Sequence, residues 1–152
     1  MIRYTPDLDG ITAERLQGGF FVGWPNPPSP EMHLRILQNA YRVVLAVDDA
    51  AENQPVIGFI NAISDGVLTA FIPLLEVLPA YQGQGIGTEL TRRMLEALQP
   101  LYAVDLLCDE SLIPFYQRLG LIPVTGAARR NYAMQSGCPI TNAVLTDLGD
   151  HE

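Results

Sequence analysis

The chain has 152 residues, 48% hydrophobic and 17% charged, enough to bury one domain's core without disulfide or metal support. That balance excludes disorder of the chain as a whole, and a net charge of −8 argues against a nucleic-acid binder. All nine basic residues are arginines, which excludes Schiff-base, lysine-anchored PLP and Walker-type phosphate chemistry. The acidic surface suits a cationic partner such as an amine.

Two histidines, His33 and His151, and two distant cysteines, Cys108 and Cys138, fit no metal-ligand spacing, so no metal is expected. Cys108 lies in an apolar run and reads as a small core residue. The N-terminal residues lack the apolar stretch of a signal peptide, and Val67–Ala80 is too short to span a bilayer. A cytoplasmic protein without a membrane partner is the expectation.

In chain order, Ile2–Tyr4 reads as a short strand, and Ile11–Gly18 as a helix stopped by Gly18-Gly19. Phe20 to Pro30 holds four prolines and cannot be regular. Its aromatics Phe20, Phe21 and Trp24 either tuck into the core or line an apolar acceptor pocket, and Phe21 and Trp24 are assigned to that pocket. Ser29 caps a helix that opens on Pro30 and runs to Asn39. Tyr41–Val47 and Val56–Ser64 read as strands. Asp65-Gly66 signals a hairpin into a long apolar strand, Val67–Leu78, in the middle of a sheet.

Ile86, Leu90, Met94 and Leu98 recur every four residues and put one apolar stripe on a helix ended by Pro100. Leu101–Cys108 is expected as a buried strand and Leu112–Leu119 as an amphipathic helix. Ile122–Val124 and Asn131–Met134 are candidate closing strands. Residues 1–135 form one domain in this reading, and 136–152 a peripheral or mobile tail. Hairpins followed by strand–helix–strand–helix predict a mixed sheet flanked by helices, of α/β or α+β class.

The informative segment is Gln82-Gly-Gln-Gly-Ile-Gly-Thr88, where a buried strand runs into glycines that open a helix. Glycines let amides approach an anion, and a helix N-terminus adds positive potential, so a phosphate or pyrophosphate is the natural guest. The dinucleotide fingerprint fails from Gly83, whose sixth position is Thr88, and from Gly85, which reaches Leu90.

The loop does resemble the Q/R-x-x-G-x-G/A motif of the GCN5-related N-acetyltransferases. So does Phe115-Tyr116-Gln-Arg-Leu-Gly120 the family's second motif, and Cys108–Arg118 is similar to that of the arylalkylamine acetyltransferases. The resemblance implies a mostly antiparallel sheet whose middle strands, Val67–Leu78 and Leu101–Cys108, splay apart. Acetyl-CoA would enter that gap as co-substrate, its pantetheine arm along Leu75, Val77 and Leu78. Its pyrophosphate would rest on Gln82, Gly83, Gln84, Gly85, Ile86, Gly87 and Thr88.

Acetyl transfer to an amine needs a base, an oxyanion donor and an acid for the departing thiolate. By the resemblance, Tyr116 matches the acid. The base positions of relatives fall on Phe71, Pro73 and Leu78, all apolar, so the arylalkylamine substrate does not carry over. Glu76, the one ionisable residue in Val67–Ala80, is the local candidate, with Glu31 and His33 behind it. Asp109 stands where many relatives have a cofactor-contacting asparagine. The expectation is an N-acetyltransferase for a small-molecule or peptide amine, in a possible homodimer. A non-catalytic acyl-CoA-binding module is the alternative.

Overall fold

The computed structural model describes residues 1–139. Five strands form one sheet in chain order: β1 (Ile2–Thr5), β2 (Arg42–Asp48), β3 (Val56–Ser64), β4 (Thr69–Val77) and β5 (Ala103–Leu106). The first four are antiparallel, and β5 joins β4 in parallel. A parallel neighbour requires a crossover, which α2 (Ile86–Ala97) supplies. The mixed, mostly antiparallel sheet flanked by helices is the fold observed.

Alternation along β2 divides the core between the two faces. Val43, Leu45 and Val47 join Phe59, Leu37 and Phe21 on the side of α1 (Pro30–Gln38). Val44 and Ala46 join Ile57, Ile60 and the α2 stripe Ile86, Leu90, Met94 and Leu98 on the other. Each such large side chain contributes about 1.5–3 kcal/mol when fully buried. Ser29 caps α1 as expected: its Oγ accepts from the Met32 N–H at 3.2 Å, with Pro30 in the first turn.

Several elements are shorter than the sequence suggests. Ile11–Gly18 holds only a single 3-10 turn, Ala13–Leu16. Asp65-Gly66 does not close a two-residue hairpin. β3 ends at Ser64 and β4 begins at Thr69, because Asp65 Oδ1 accepts the N–H groups of Leu68, Val67 and Thr69 at 2.8, 2.9 and 3.2 Å. That side chain replaces strand pairing with a capped loop, and Val67 and Leu68 lie exposed in it. The Leu101–Cys108 strand contracts to four residues at the sheet's edge, and Cys108 is exposed rather than core.

The expected 112–119 helix is a 3-10 turn, Glu110–Leu112, followed by α3 (Ile113–Gln117), whose Pro114 is tolerated only in the first turn. Ile122–Val124 forms no strand and Asn131–Met134 is a 3-10 turn at Tyr132–Met134; neither segment pairs with a strand of the sheet. The tail assigned to 136–152 lies, from residue 140 on, outside the described residues. No helix among the described residues is long and apolar enough to cross a membrane.

Candidate active site

The gap between the middle strands begins at one residue. β4 pairs with β5 only from Thr69 to Ile72, against Ala103 to Leu106. Next comes Pro73, which has no N–H to give a ladder. At the same point the pairing with β3 slips, so that Asn61 faces Leu74 while Ile63 faces Phe71. Ile72 and Pro73 thus share one opposing residue, the geometry of a bulge that bends the strand. The buried Asn61 side chain takes up the slack, its Oδ1 accepting the Leu74 N–H at 3.1 Å. Beyond Ile72, β4 stays paired with β3 but has no strand on its β5 side.

Which main-chain groups face that gap follows from one hydrogen bond. The Leu78 N–H donates to Ile57 O at 2.8 Å, toward β3. Alternation then turns the N–H and C=O of Val77 and Leu75 the opposite way, into the gap. Gln82 Nε2 donates to Val77 O at 3.0 Å, which agrees with that orientation. Of the three residues assigned to the cofactor arm, Leu75 therefore offers a free edge and Val77 its N–H, the Val77 carbonyl being taken by Gln82. Leu78 is buried, with its donor committed to the sheet.

The glycine loop has the stereochemistry of a cradle. Gly83 and Gly85 have φ of +79° and +82°, and a Cβ on either would meet no atom within 4 Å. Gly85 is the N-cap of α2 and provides no side-chain cap, so the first-turn amides of Ile86, Gly87 and Thr88 keep free donors aimed out of the helix. Ile86 anchors that end in the core, while Gln82, Gln84 and Thr88 are exposed. Glu89 would oppose an anion there, but Arg92 and Arg93 hold it at 2.7 and 2.8 Å and pull its carboxyl down to about 2. The turn before the glycines is tied down by Tyr81, whose hydroxyl donates to Asp48 Oδ2 at 2.7 Å. A diphosphate fits this donor set.

Glu76 projects to the α1 face, where its Oε1 accepts the Phe21 N–H at 2.8 Å. Burial raises its carboxyl above the ordinary range, and the Phe21 bond partly offsets this. Phe21 itself is a core residue. Its side chain is buried against Phe59, His33 and Trp24, and its φ of +64° is unusual for a residue with a Cβ. Trp24, 36% exposed, sits at the rim.

Tyr116 is half-buried on α3, edge-on to Phe115 at 4.9 Å, and burial, then Cys108, pushes its phenol up. It lines a cleft of about 480 Å³ bounded by β5, Cys108 and Leu121–Val124. Phe115 comes closest to the cradle: a Cβ on Gly87 would lie 3.9 Å from its ring and from Val77. Glu76 does not line the cleft that Tyr116 lines, and no side-chain hydrogen bond joins them among the described residues. Asn61, the Tyr81–Asp48 pair and Gln135, whose Oε1 accepts the Asn26 N–H at 2.9 Å, escaped the sequence reading. Only Asn61, a polar residue inside an apolar strand, left a signal there.

The model of the acetyltransferase (GNAT) family matches residues 12–121. A Deinococcus radiodurans R1 protein described as an acetyltransferase is 48% identical, with a TM-score of 0.84 over 91% of this chain and 94% of that one. A GNAT-family acetyltransferase of Streptococcus pneumoniae TIGR4 is 30% identical, with a TM-score of 0.64 over 86% and 98% of the two chains. GCN5-related N-acetyltransferase 2, chloroplastic, of Arabidopsis thaliana is 31% identical over 117 residues, 65% of this chain and 45% of its own length. The chain spans about half the length of the curated relatives it matches. It belongs to the acetyltransferase (GNAT) family.

Proposed function

We propose that the protein transfers the acetyl group of acetyl-CoA to a primary amine, of a small molecule or a peptide, by direct attack in a ternary complex. The observation that carries this reading is the coincidence of an open gap beside Leu75–Val77 with uncapped amides at Ile86, Gly87 and Thr88. The amides bind the pyrophosphate, and the free edge of Leu75 together with the Val77 N–H pairs with the pantetheine arm. Acetyl-CoA supplies the activated acyl group.

Glu76 takes one proton from the substrate ammonium, for which a burial-raised carboxylate is a better base than an exposed one. The neutral amine then attacks the thioester carbonyl, its nitrogen releases a second proton to solvent, and the carbon–sulfur bond breaks to give the amide. Tyr116 gives its proton to the leaving thiolate and regains one from solvent. Its raised pKa keeps it protonated near neutral pH, as an acid must be.

Glu76→Gln is the direct test of the base. Glutamine keeps an Oε1 for the Phe21 N–H and loses the basic site. With free-thiol release as the assay over a panel of amines, kcat falls by about 10²–10⁴-fold, while calorimetry shows unchanged acetyl-CoA affinity. Retention of more than half the activity would remove Glu76 from the chemistry. Gly85→Val tests the cradle: it weakens acetyl-CoA binding by at least about tenfold, or 1.4 kcal/mol, in a chain that keeps its circular dichroism. A folded variant with unchanged affinity refutes the cradle assignment.

A further inference from the structure

We propose that Ile63, Phe71 and Asp105 form the acceptor subsite, which selects a primary ammonium on an apolar stem with no carboxylate beside the nitrogen. The proposal rests on the reading of the protein as an acetyltransferase for primary amines.

The three residues stand in one row across the sheet. Ile63 on β3 pairs with Phe71 on β4, and Phe71 pairs with Asp105 on β5. Directly paired residues share a face, with Cβ atoms about 4.5–5.5 Å apart in an antiparallel pair. The alternate set, Ala70, Ile72, Val104 and Leu106, packs with the α2 stripe, so the row faces the α1 side, as Glu76 does. The cover of α1 stops just short of it. Asn61, two residues before Ile63, is buried, whereas Ile63 is 56% and Phe71 38% exposed. Asp105 is exposed as well, and no ion pair among the described residues involves it. A bare apolar floor on two internal strands thus ends in a carboxylate.

The row lies where the acetyl group is delivered. With the pyrophosphate in the cradle and the pantetheine arm running back past Val77 and Leu75, the thioester points toward Pro73, where the gap begins. Phe71 precedes Pro73 by two residues, about 7 Å along a strand. Asp105 also lines the cleft that Tyr116 lines. An amine that reaches the thioester from the α1 side passes over this row.

The chemistry of the row selects the guest. An acceptor arrives as an ammonium, which the Asp105 carboxylate attracts and the face of the Phe71 ring favours. An apolar stem covers Ile63 and Phe71 and removes their surface from water. A carboxylate beside the reacting nitrogen would bring like charge to Asp105, in a chain whose net charge is already −8. A short polar amine would leave the floor bare.

The test uses the full chain, with thiol release from acetyl-CoA as the assay. The acceptors are ethylamine, propylamine, butylamine, pentylamine and norleucine, which is pentylamine with a carboxylate on the carbon that bears the nitrogen. kcat/KM is expected to rise about two- to fourfold per methylene from ethylamine to pentylamine. Phe71→Ala should flatten that slope, and Ile63→Ser reads the same slope if the alanine variant does not fold. Asp105→Asn should raise the pentylamine KM about three- to fivefold, with kcat and acetyl-CoA affinity held. It should narrow the preference for pentylamine over norleucine by a similar factor, and raised salt should narrow it in the parent. Amide NMR of Phe71 and Asp105, with CoA in place of acetyl-CoA, reads pentylamine binding without turnover.

A flat slope in the parent, a preference unchanged in Asp105→Asn, or a loss in its kcat with KM held overturns the subsite. If pentylamine shifts both amides saturably and norleucine does not, yet no amine releases thiol, the transferase reading falls and the subsite stands. If amines are acetylated while Phe71→Ala and Asp105→Asn keep the parent kinetics, the subsite falls alone. Neither shift nor thiol release overturns both.

Discussion

The stretch from β2 through α2 and the stretch after it are built differently. Between Val43 and Leu98 lie most of the fully buried side chains, packed on both faces of the sheet. From Gln99 to Pro139 no described residue is fully buried, and Leu107, Leu112, Ile122 and Val124 stand exposed along the β5 side. The cradle amides are therefore mounted on the well-packed part. The proposed acid, Tyr116, is mounted on a five-residue helix in the open part. Under the proposed roles, binding rests on the closely packed part and proton delivery on the part with fewer buried side chains to resist local opening.

The largest effect that tests this contrast is in the core. Leu90 is fully buried under β3, and Leu90→Ala should destabilise the chain by about 2–5 kcal/mol. At roughly 2–4 °C per kcal/mol for a chain of this size, calorimetry would read a clear drop in Tm. A loss well under 1 kcal/mol would mean that this half is not the rigid one.

Tyr116→Phe removes one hydroxyl from the open half and leaves the ring. Tm should hold, while kcat falls about 10²-fold, equivalent to about 3 kcal/mol. Acetyl-CoA affinity should change little, since the hydroxyl acts when the thiolate departs. A variant with more than half of the parent kcat, chemistry being rate-limiting, makes Tyr116 a packing residue.

The smallest effect is expected at Ile122→Ser, where the parent side chain is 78% exposed. Stability should shift by no more than about 0.5 kcal/mol in denaturant titration. A loss above about 1 kcal/mol would show that this segment is covered in solution, and would erase the contrast.

Legibility in the sequence follows the same divide. The capped start at Ser29, the four-residue stripe Ile86–Leu98 and the glycine loop are local signals, each set by residues within one turn of each other, and the structure has all three. Ile122–Val124 has strand-like composition, yet a strand also needs an edge to pair with, and nothing local encodes that. Asp65 shows the opposite error. Its carboxylate captures three amides, which hairpin composition alone does not reveal. In the site, Gly83, Gly85 and Glu76 were visible as residue types in a telling order. The left-handed backbone of Phe21 was not, because it is imposed by packing and by the bond to Glu76, 55 residues away. Pro73 was in plain view inside an apolar strand, and it marks where the two middle strands part.

The turn leading into the glycines is fastened at three points: Leu78 to Ile57, Gln82 to Val77 and Tyr81 to Asp48. With its approach and the core-anchored Ile86 fixed, only Gly83, Gln84 and Gly85 retain freedom to lose. Ordering a backbone residue costs about 1–2 kcal/mol in entropy, so that loss is confined to three residues instead of being spread over the whole turn. Capture of the diphosphate should therefore carry a small entropic penalty for the loop, with the favourable heat of the amide contacts largely retained as affinity.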